Sequence, residues 1–400
     1  MPETSRAFAA APVFVGGAHV ERMKAVIDAV ERVVRLPAWR SLVLSQVPPI
    51  AGRREPALGV FYGYDFHIGP EGPQLIEINT NAGGALLNVV LGRAVRSCCD
   101  AVARLHGGPF GTARLESVFV EMFRAEWRRV RGDTPLTTVA IVDDDPESQF
   151  LYPEMVLCRA MLGRAGIGAG VVDAARLEFD GERLLVGSGE WPRSDRRSGS
   201  ARQAIDLVYN RTTDFYLEAP EHEALRAAYE AGAVVVTPHP VGHALYARKT
   251  NLVWLSDPGV LREAGADEET IATLEAGVPK AIVVSPAEAD RLWRERRRYF
   301  FKPVAGFGGK AAYRGDKLTR KTFERILTQP YIAQHVVPPS EREIETADGL
   351  RPLKFDVRAY VYDGEIQLLG ARMYRGQTTN FRTAGGGFAP VYTDAFSGRA

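Results

Sequence analysis

Apolar residues recur at helical spacing early in the chain, at Met23, Val26, Ile27, Val30, Val33 and Val34, and the pattern stops before Pro37. That periodicity predicts an amphipathic helix ended by proline. The period then changes to two, with alternating runs over 61–68 and 75–80 flanking Gly69-Pro70-Glu71-Gly72-Pro73. Two such runs around a Gly/Pro turn predict a β-hairpin. A second helical stripe follows at Leu115, Val118, Phe119, Met122 and Phe123. Beyond it, an apolar strand at 137–142, a helix at 152–162 and a strand opening at Val171-Val172-Asp173 form a strand–helix–strand order. That order predicts a Rossmann-like unit with a parallel sheet, whose ligand edge lies at the strand ends. Late in the chain, 300–304 reads as a strand, Gly306, Gly308 and Gly309 as a glycine-rich turn, and 311–313 as the returning strand.

Strand parity places Glu77 and Asn79 on one face of the hairpin, and Asp65 on the facing strand brings a second carboxylate beside them. Hard oxygen ligands of this kind, incomplete by themselves, suit Mg²⁺ shared with substrate phosphates. An isolated Glu-x-Asn, however, is most often just the wet face of a hairpin. The lysine-bearing strand adds a different chemistry, because glycines let backbone N–H groups bend around phosphate oxygens while Lys302 supplies charge. It lacks the Gly-Lys-Ser/Thr helix start of a Walker loop.

Taken together, these motifs resemble the ATP-grasp superfamily over roughly 65–90 and most of 240–390. The matching pieces are Lys249 in Tyr246-Ala247-Arg248-Lys249-Thr250-Asn251, Lys302 with its glycine-rich flap, and the hinge Tyr331-Ile332-Ala333-Gln334-His335-Val336. Lys354-Phe355-Asp356-Val357-Arg358, then Gly370-Ala371-Arg372, and Thr379-Asn380-Phe381-Arg382 ahead of Gly385-Gly386-Gly387 complete the set. With Glu-Ile-Asn-Thr ahead of the flap, the order is similar to the circularly permuted branch that includes eukaryotic glutathione synthetase. The resemblance implies an α/β (α+β) fold, a permuted ATP-grasp domain with an inserted Rossmann-like substrate domain. Its expected divisions are 1–130, with N-terminal helices and the metal hairpin, 131–240 for the substrate domain, and 241–400 for the lysine strands, flap and hinge.

The same resemblance implies an ATP-dependent carboxylate–amine ligase acting through an acyl phosphate on an amino acid or small peptide, with ATP and Mg²⁺. Metal ligands would be Asp65, Glu77 and Asn79. ATP contacts would come from Lys249, Lys302, Gly306, Gly308, Gly309, Gln334, His335, Val336, Lys354 and Asn380. Arg358, Arg372 and Lys302 would serve the chemistry, and Asn81, Arg211 and Arg382 the substrate. Three departures stand out: Gly306 replaces a metal-binding glutamate of that branch, Gly63 an arginine, and Asn81-Ala82-Gly83-Gly84 its serines. A phosphotransferase or a non-catalytic nucleotide-binding regulator on the same scaffold are the competing expectations.

Composition changes little in this picture. The 400 residues are 46% hydrophobic and 25% charged with a formal net charge of +1, enough for two or three globular domains and no argument for nucleic acid or a membrane surface. Arg294–Arg298 is interrupted by Glu295 and reads as a solvated helix face. Cys98, Cys99 and Cys158 lack zinc-ligand spacing, and His239 and His243 lack a third ligand. Asp143-Asp144-Asp145 could bind metal, but at a helix start such a run more often caps and solvates. Gly187 to Ala201 reads as a surface loop. The expected setting is cytoplasmic, the expected partners are a small-molecule carboxylate and an amine, and a homodimer is left open.

Overall fold

The early hairpin and the late arginine-bearing strand are hydrogen-bonded neighbours in one sheet, although some 290 residues of chain separate them. They are seen in a computed structural model that describes residues 7–9, 11–96, 111–187, 191, 202–306, 309, 311–346, 349–380 and 383–395. Tyr62–Gly69 and Gly72–Asn79 pair antiparallel as the alternation predicts, with Asp65 opposite Glu77 and a bulge just after Asp65. Tyr62–Gly69 then pairs with Gly349–Tyr362, which sets Arg358 opposite Asp65. On its other side Gly349–Tyr362 meets Glu365–Tyr374, where Asp356 faces Arg372. Gly387–Tyr392 and the short Val13–Phe14 finish that edge, and Ser340–Thr346 also pairs with Gly349–Tyr362 to make a seven-stranded sheet.

One face of this sheet is packed and the other opens onto a cavity. The helix Gly17–Arg35 covers the packed face, burying Met23, Ile27, Val30 and Val33 as its periodicity requires. It stops before Pro37, which opens the helix Pro37–Leu44 at a first-turn position where a missing N–H costs nothing. Tyr62, Tyr64 and Phe66 point into this core. Gly63, Asp65 and His67 therefore take the opposite, cavity-side face.

The Rossmann-like unit is a parallel four-stranded sheet in the order Val235–Thr237, Leu207–Asn210, Thr138–Asp143, Gly168–Asp173. Every residue of Thr138–Asp143 is buried, the signature of a strand covered on both faces, and Tyr152–Arg164 is the crossover helix. A smaller antiparallel sheet, Ala281–Val283, Tyr331–His335, Tyr299–Pro303, Tyr313–Arg314, carries the lysine strand beside the hinge strand. Among the described residues no helix is long and apolar enough to cross a membrane.

Candidate functional site

Three residues nominated by the hairpin pattern converge on one point. The Asn79 side-chain amide donates to Asp65 Oδ2 at 2.9 Å and to Glu77 Oε1 at 3.0 Å, so it spans both carboxylates. A half-turn of that amide would present its carbonyl oxygen to the same point. Asp65 itself is wholly buried and held by a fork: Arg358 donates from Nε and Nη2 to its two oxygens at 2.6 and 2.7 Å. Arg372 adds a further bond to Asp65 Oδ2 at 2.7 Å and grips Asp356 in a second fork at 2.8 and 3.0 Å. Thr379 donates to Asp356 at 2.6 Å. Buried charges of this density survive only when each is paired and hydrogen-bonded, and here each one is.

Gly63 makes room for this network. A Cβ there would stand 2.6 Å from Ala82 Cβ and 2.9 Å from Arg358 Nε. Arg358 lies across the bare backbone of Gly63 from the neighbouring strand.

Two lysines face the hairpin. Lys302 donates from Nζ to the Ile76 carbonyl at 2.7 Å and to Gln334 Oε1 at 2.8 Å, so the late lysine strand touches the early hairpin directly. Burial pushes its ammonium down to about 8, with Glu77 opposing and Lys249 assisting. Lys249 donates to the Gly306 carbonyl at 2.6 Å. Burial alone would raise the Glu77 carboxyl, but Lys249, Lys302 and the Asn79 amide together hold it far below the usual carboxylate range. Glu77 is an obligate anion between two cations.

Glu77, Asn79, Lys249, Lys302, Asp356, Arg358, Arg372 and Thr379 line one cavity of about 640 Å³, within the range of small-molecule and cofactor sites, while Asp65 lies buried behind it. Its far wall is the hinge, where Gln334 Nε2 is buried with no hydrogen-bond partner. A buried amide donor left unmade is costly and marks a place for an acceptor from a ligand. The backbone N–H groups of His335 and Val336 are already spent on Lys280 and Arg298, so those two residues offer the cavity their carbonyls and side chains. Gly306 and Gly309 line the cavity as well, Gly309 at a left-handed φ of +68°. Gly308 and Arg382 lie outside the described residues.

Two nominated residues sit elsewhere. Lys354 shares strand parity with Asp356 and Arg358 but stands farther along the strand, where it donates to the Gly376 carbonyl at 3.0 Å and does not line the cavity. Asn380 turns back on its own loop, donating to the Arg375 carbonyl at 2.7 Å, and is also absent from the lining.

The opposite end of the cavity belongs to the Rossmann-like unit. Arg211 Nη1 donates to the Asn81 carbonyl at 2.6 Å, and the Asn81 amide donates back to the Thr212 carbonyl at 2.9 Å. This clasp ties the segment after the hairpin to the end of Leu207–Asn210. Asp143 and Asp144, at the end of Thr138–Asp143, line the cavity too. Burial pushes the Asp143 carboxyl up to about 6 against the pull of Arg211. Asp144 instead accepts from His222 at 2.6 Å, whose other ring nitrogen meets Asp214 at 2.8 Å. The three-aspartate run looks like a helix cap in sequence. The signal that could have found its role is its place at the carboxyl end of a parallel strand, where α/β sheets bind ligands.

The donor set fits magnesium shared with a phosphate ligand rather than a metal held by protein alone. No cluster of three or more His, Cys, Asp or Glu able to hold an ion occurs among the described residues. Glu77 and the Asn79 amide, with two lysines opposite, leave coordination positions for phosphate oxygens, as magnesium sites in nucleotide enzymes do, whereas Asp65, expected as a third ligand, is buried off the cavity with both oxygens held by Arg358 and Arg372.

No family model matches this chain, and no curated protein does. Among solved structures it is similar to a glutathione synthetase-like effector from Globodera pallida in its apo form, at 12% identity and a TM-score of 0.59, over 96% of this chain and 90% of that one. It is also similar to a candidate γ-glutamylcysteine synthetase from Methylobacillus flagellatus, at 12% identity and a TM-score of 0.49, over 94% of this chain and 87% of that one. A third similarity is to the ATP-grasp ligase PsnB complexed with a minimal precursor, at 15% identity and a TM-score of 0.31, over 66% of this chain and 91% of that one. The fold of this chain is that of the glutathione synthetase-like effector.

Proposed function

We propose that this protein is an ATP-dependent carboxylate–amine ligase that forms an amide through an acyl phosphate, on an amino-acid or small-peptide substrate. The observation that carries the reading is the direct meeting of Lys302 with the acidic hairpin across a cavity of nucleotide size. The order of the motifs, hairpin before lysine strand, is that of a permuted ATP-grasp domain.

Magnesium would be held by Glu77 and Asn79, and ATP by Lys249, Lys302 and the hinge, while Asp65 anchors Arg358 and Arg372. The chemistry supplied by the bound pair is phosphoryl activation of a carboxylate, which an amine then converts to an amide. The chain's own residues do the rest. Lys249 and Lys302 neutralise phosphate charge in a buried setting, where a cation counts for far more than in water. Arg358 and Arg372, locked by Asp65 and Asp356, present fixed N–H groups to the charge that grows on the carbonyl oxygen. Preorganisation of this kind requires no nucleophilic side chain, since positioning and electrostatics carry such reactions. Arg211 holds a substrate carboxylate at the far end, and the glycine-bearing flap keeps water from the activated intermediate.

The test is an ADP-release assay across carboxylate and amine pools, with hydroxylamine added as a trap. Amine-dependent ADP together with a hydroxamate from the carboxylate supports the ligase. A stable phosphorylated product without amine would establish a phosphotransferase instead, and ATP binding without ADP a regulator.

A further inference from the structure

A buried carboxylate on the packed side of the sheet joins the hairpin to the turn before Lys249 from behind. Glu31, on the helix Gly17–Arg35, is 9% exposed and takes no part in the chemistry described above. Its Oε1 accepts from the Tyr64 hydroxyl at 2.9 Å and its Oε2 from the Tyr246 hydroxyl at 2.8 Å. Tyr64 immediately precedes Asp65, and strand alternation turns the two side chains to opposite faces. Tyr246 lies three residues before Lys249, in the single π-helical turn His243–Ala247. Such turns are unusual and recur at functional sites, because the widened backbone re-aims the residues after it. The Tyr246 ring is further braced edge-on against Tyr62, with centroids 5.0 Å apart.

We infer that Glu31 is a positioning residue, a rear clamp that sets Lys249 at its working distance from the acidic hairpin by holding Tyr64 and Tyr246 on its two oxygens. The consequence for nucleotide binding rests on the ligase reading above. The geometric claim does not. Two charge-assisted bonds to one carboxylate fix the hairpin strand and the lysine-bearing turn to a common point, and Arg35, 3.8 Å away, faces the same carboxylate from solvent. On the cavity side, among the described residues, the Lys249 ammonium donates to the carbonyl of Gly306 in the flap.

The test uses the full chain with Glu31→Gln and Tyr246→Phe. Both keep the side-chain volume, and Tyr246→Phe deletes only the hydroxyl. The first readout is acylation of Lys249 by a soluble amine-reactive ester, followed by peptide mass spectrometry on the nucleotide-free protein. A several-fold change in Lys249 labelling in both variants, with Lys24 unchanged, supports the clamp. Wild-type labelling of Lys249 in both variants overturns it, whatever the nucleotide does. The second readout is calorimetric titration with ATP and with adenosine. The clamp predicts ATP binding about tenfold weaker in each variant, adenosine binding unchanged, and no further loss when Glu31→Gln is added to Lys249→Met. Additive losses in that double variant would overturn the inference by showing a general structural effect. Failure of the wild-type protein to bind ATP would instead defeat the ligase reading, and the labelling would still decide the clamp.

Discussion

The two ends of the cavity are built on opposite principles. At the hairpin end, Asp65, Asp356, Arg358 and Arg372 form a closed lattice in which each carboxylate is forked by a guanidinium. At the Rossmann-like end, Arg211 spends its bonds on a carbonyl and on the Tyr209 hydroxyl, and Asp143 accepts only the N–H of its own neighbour among the hydrogen bonds described. The first end is finished before any ligand arrives. The second keeps a buried cation and a buried anion side by side without an ion pair between them. Under the proposed ligase reading, the contrast suits a common activation chemistry joined to a separately tuned acceptor site.

The largest effect that would break this comparison is on stability. Asp65→Asn removes the shared partner of two buried arginines and is expected to cost about 3–5 kcal/mol in denaturant unfolding, whereas Asp143→Asn should cost under about 1 kcal/mol. Equal losses would erase the distinction. Next, Glu77→Gln should leave the unfolding midpoint within a few degrees of the wild type, yet lower ADP release by about 100-fold or more, because the carboxylate facing Lys249 and Lys302 is gone. A third prediction concerns pH. Native Lys302 titrates near 8 against an ordinary 10.5, so across that window the unfolded chain binds more protons at this group. Its contribution to stability therefore rises with pH between those values while the charge it offers to phosphate is lost. Nucleotide affinity measured by calorimetry should fall above pH 8, by about tenfold at most, as a charge-assisted bond weakens. The smallest effect is at the far end: Arg211→Lys should raise the KM for the carboxylate substrate about tenfold and leave ATP affinity unchanged, since a lysine cannot fork.

Much of the hairpin end was legible in the chain because its elements obey short-range rules. Period-two alternation placed Glu77 and Asn79 on one face and the Gly/Pro turn located the hairpin, but the bulge after Asp65, which no residue pattern announces, is what sets Asp65 opposite Glu77. The apolar run before the glycines located the strand of Lys302. What short-range rules do not carry is how far along a strand a side chain stands from the cavity. Lys354 has the right parity and misses the site by distance alone. Asn380 is spent on its own loop, as asparagines in turns commonly are. Asp143 went unrecognised for the converse reason: its position matters only once three other strands have assembled beside it. The rear clamp at Glu31 belongs to the same class, since a glutamate on an amphipathic helix gives no hint that two distant tyrosines will meet it.

The central claim is that nucleotide lies between the early hairpin and the late lysine strand, and a crystal structure with magnesium and a non-hydrolysable ATP analogue tests it most directly. The account predicts metal density beside Glu77 and Asn79, a triphosphate against Lys249 and Lys302, and a base within reach of the Gln334 amide. A nucleotide seated in another cavity, or one that leaves Glu77 and Lys302 untouched, would contradict it.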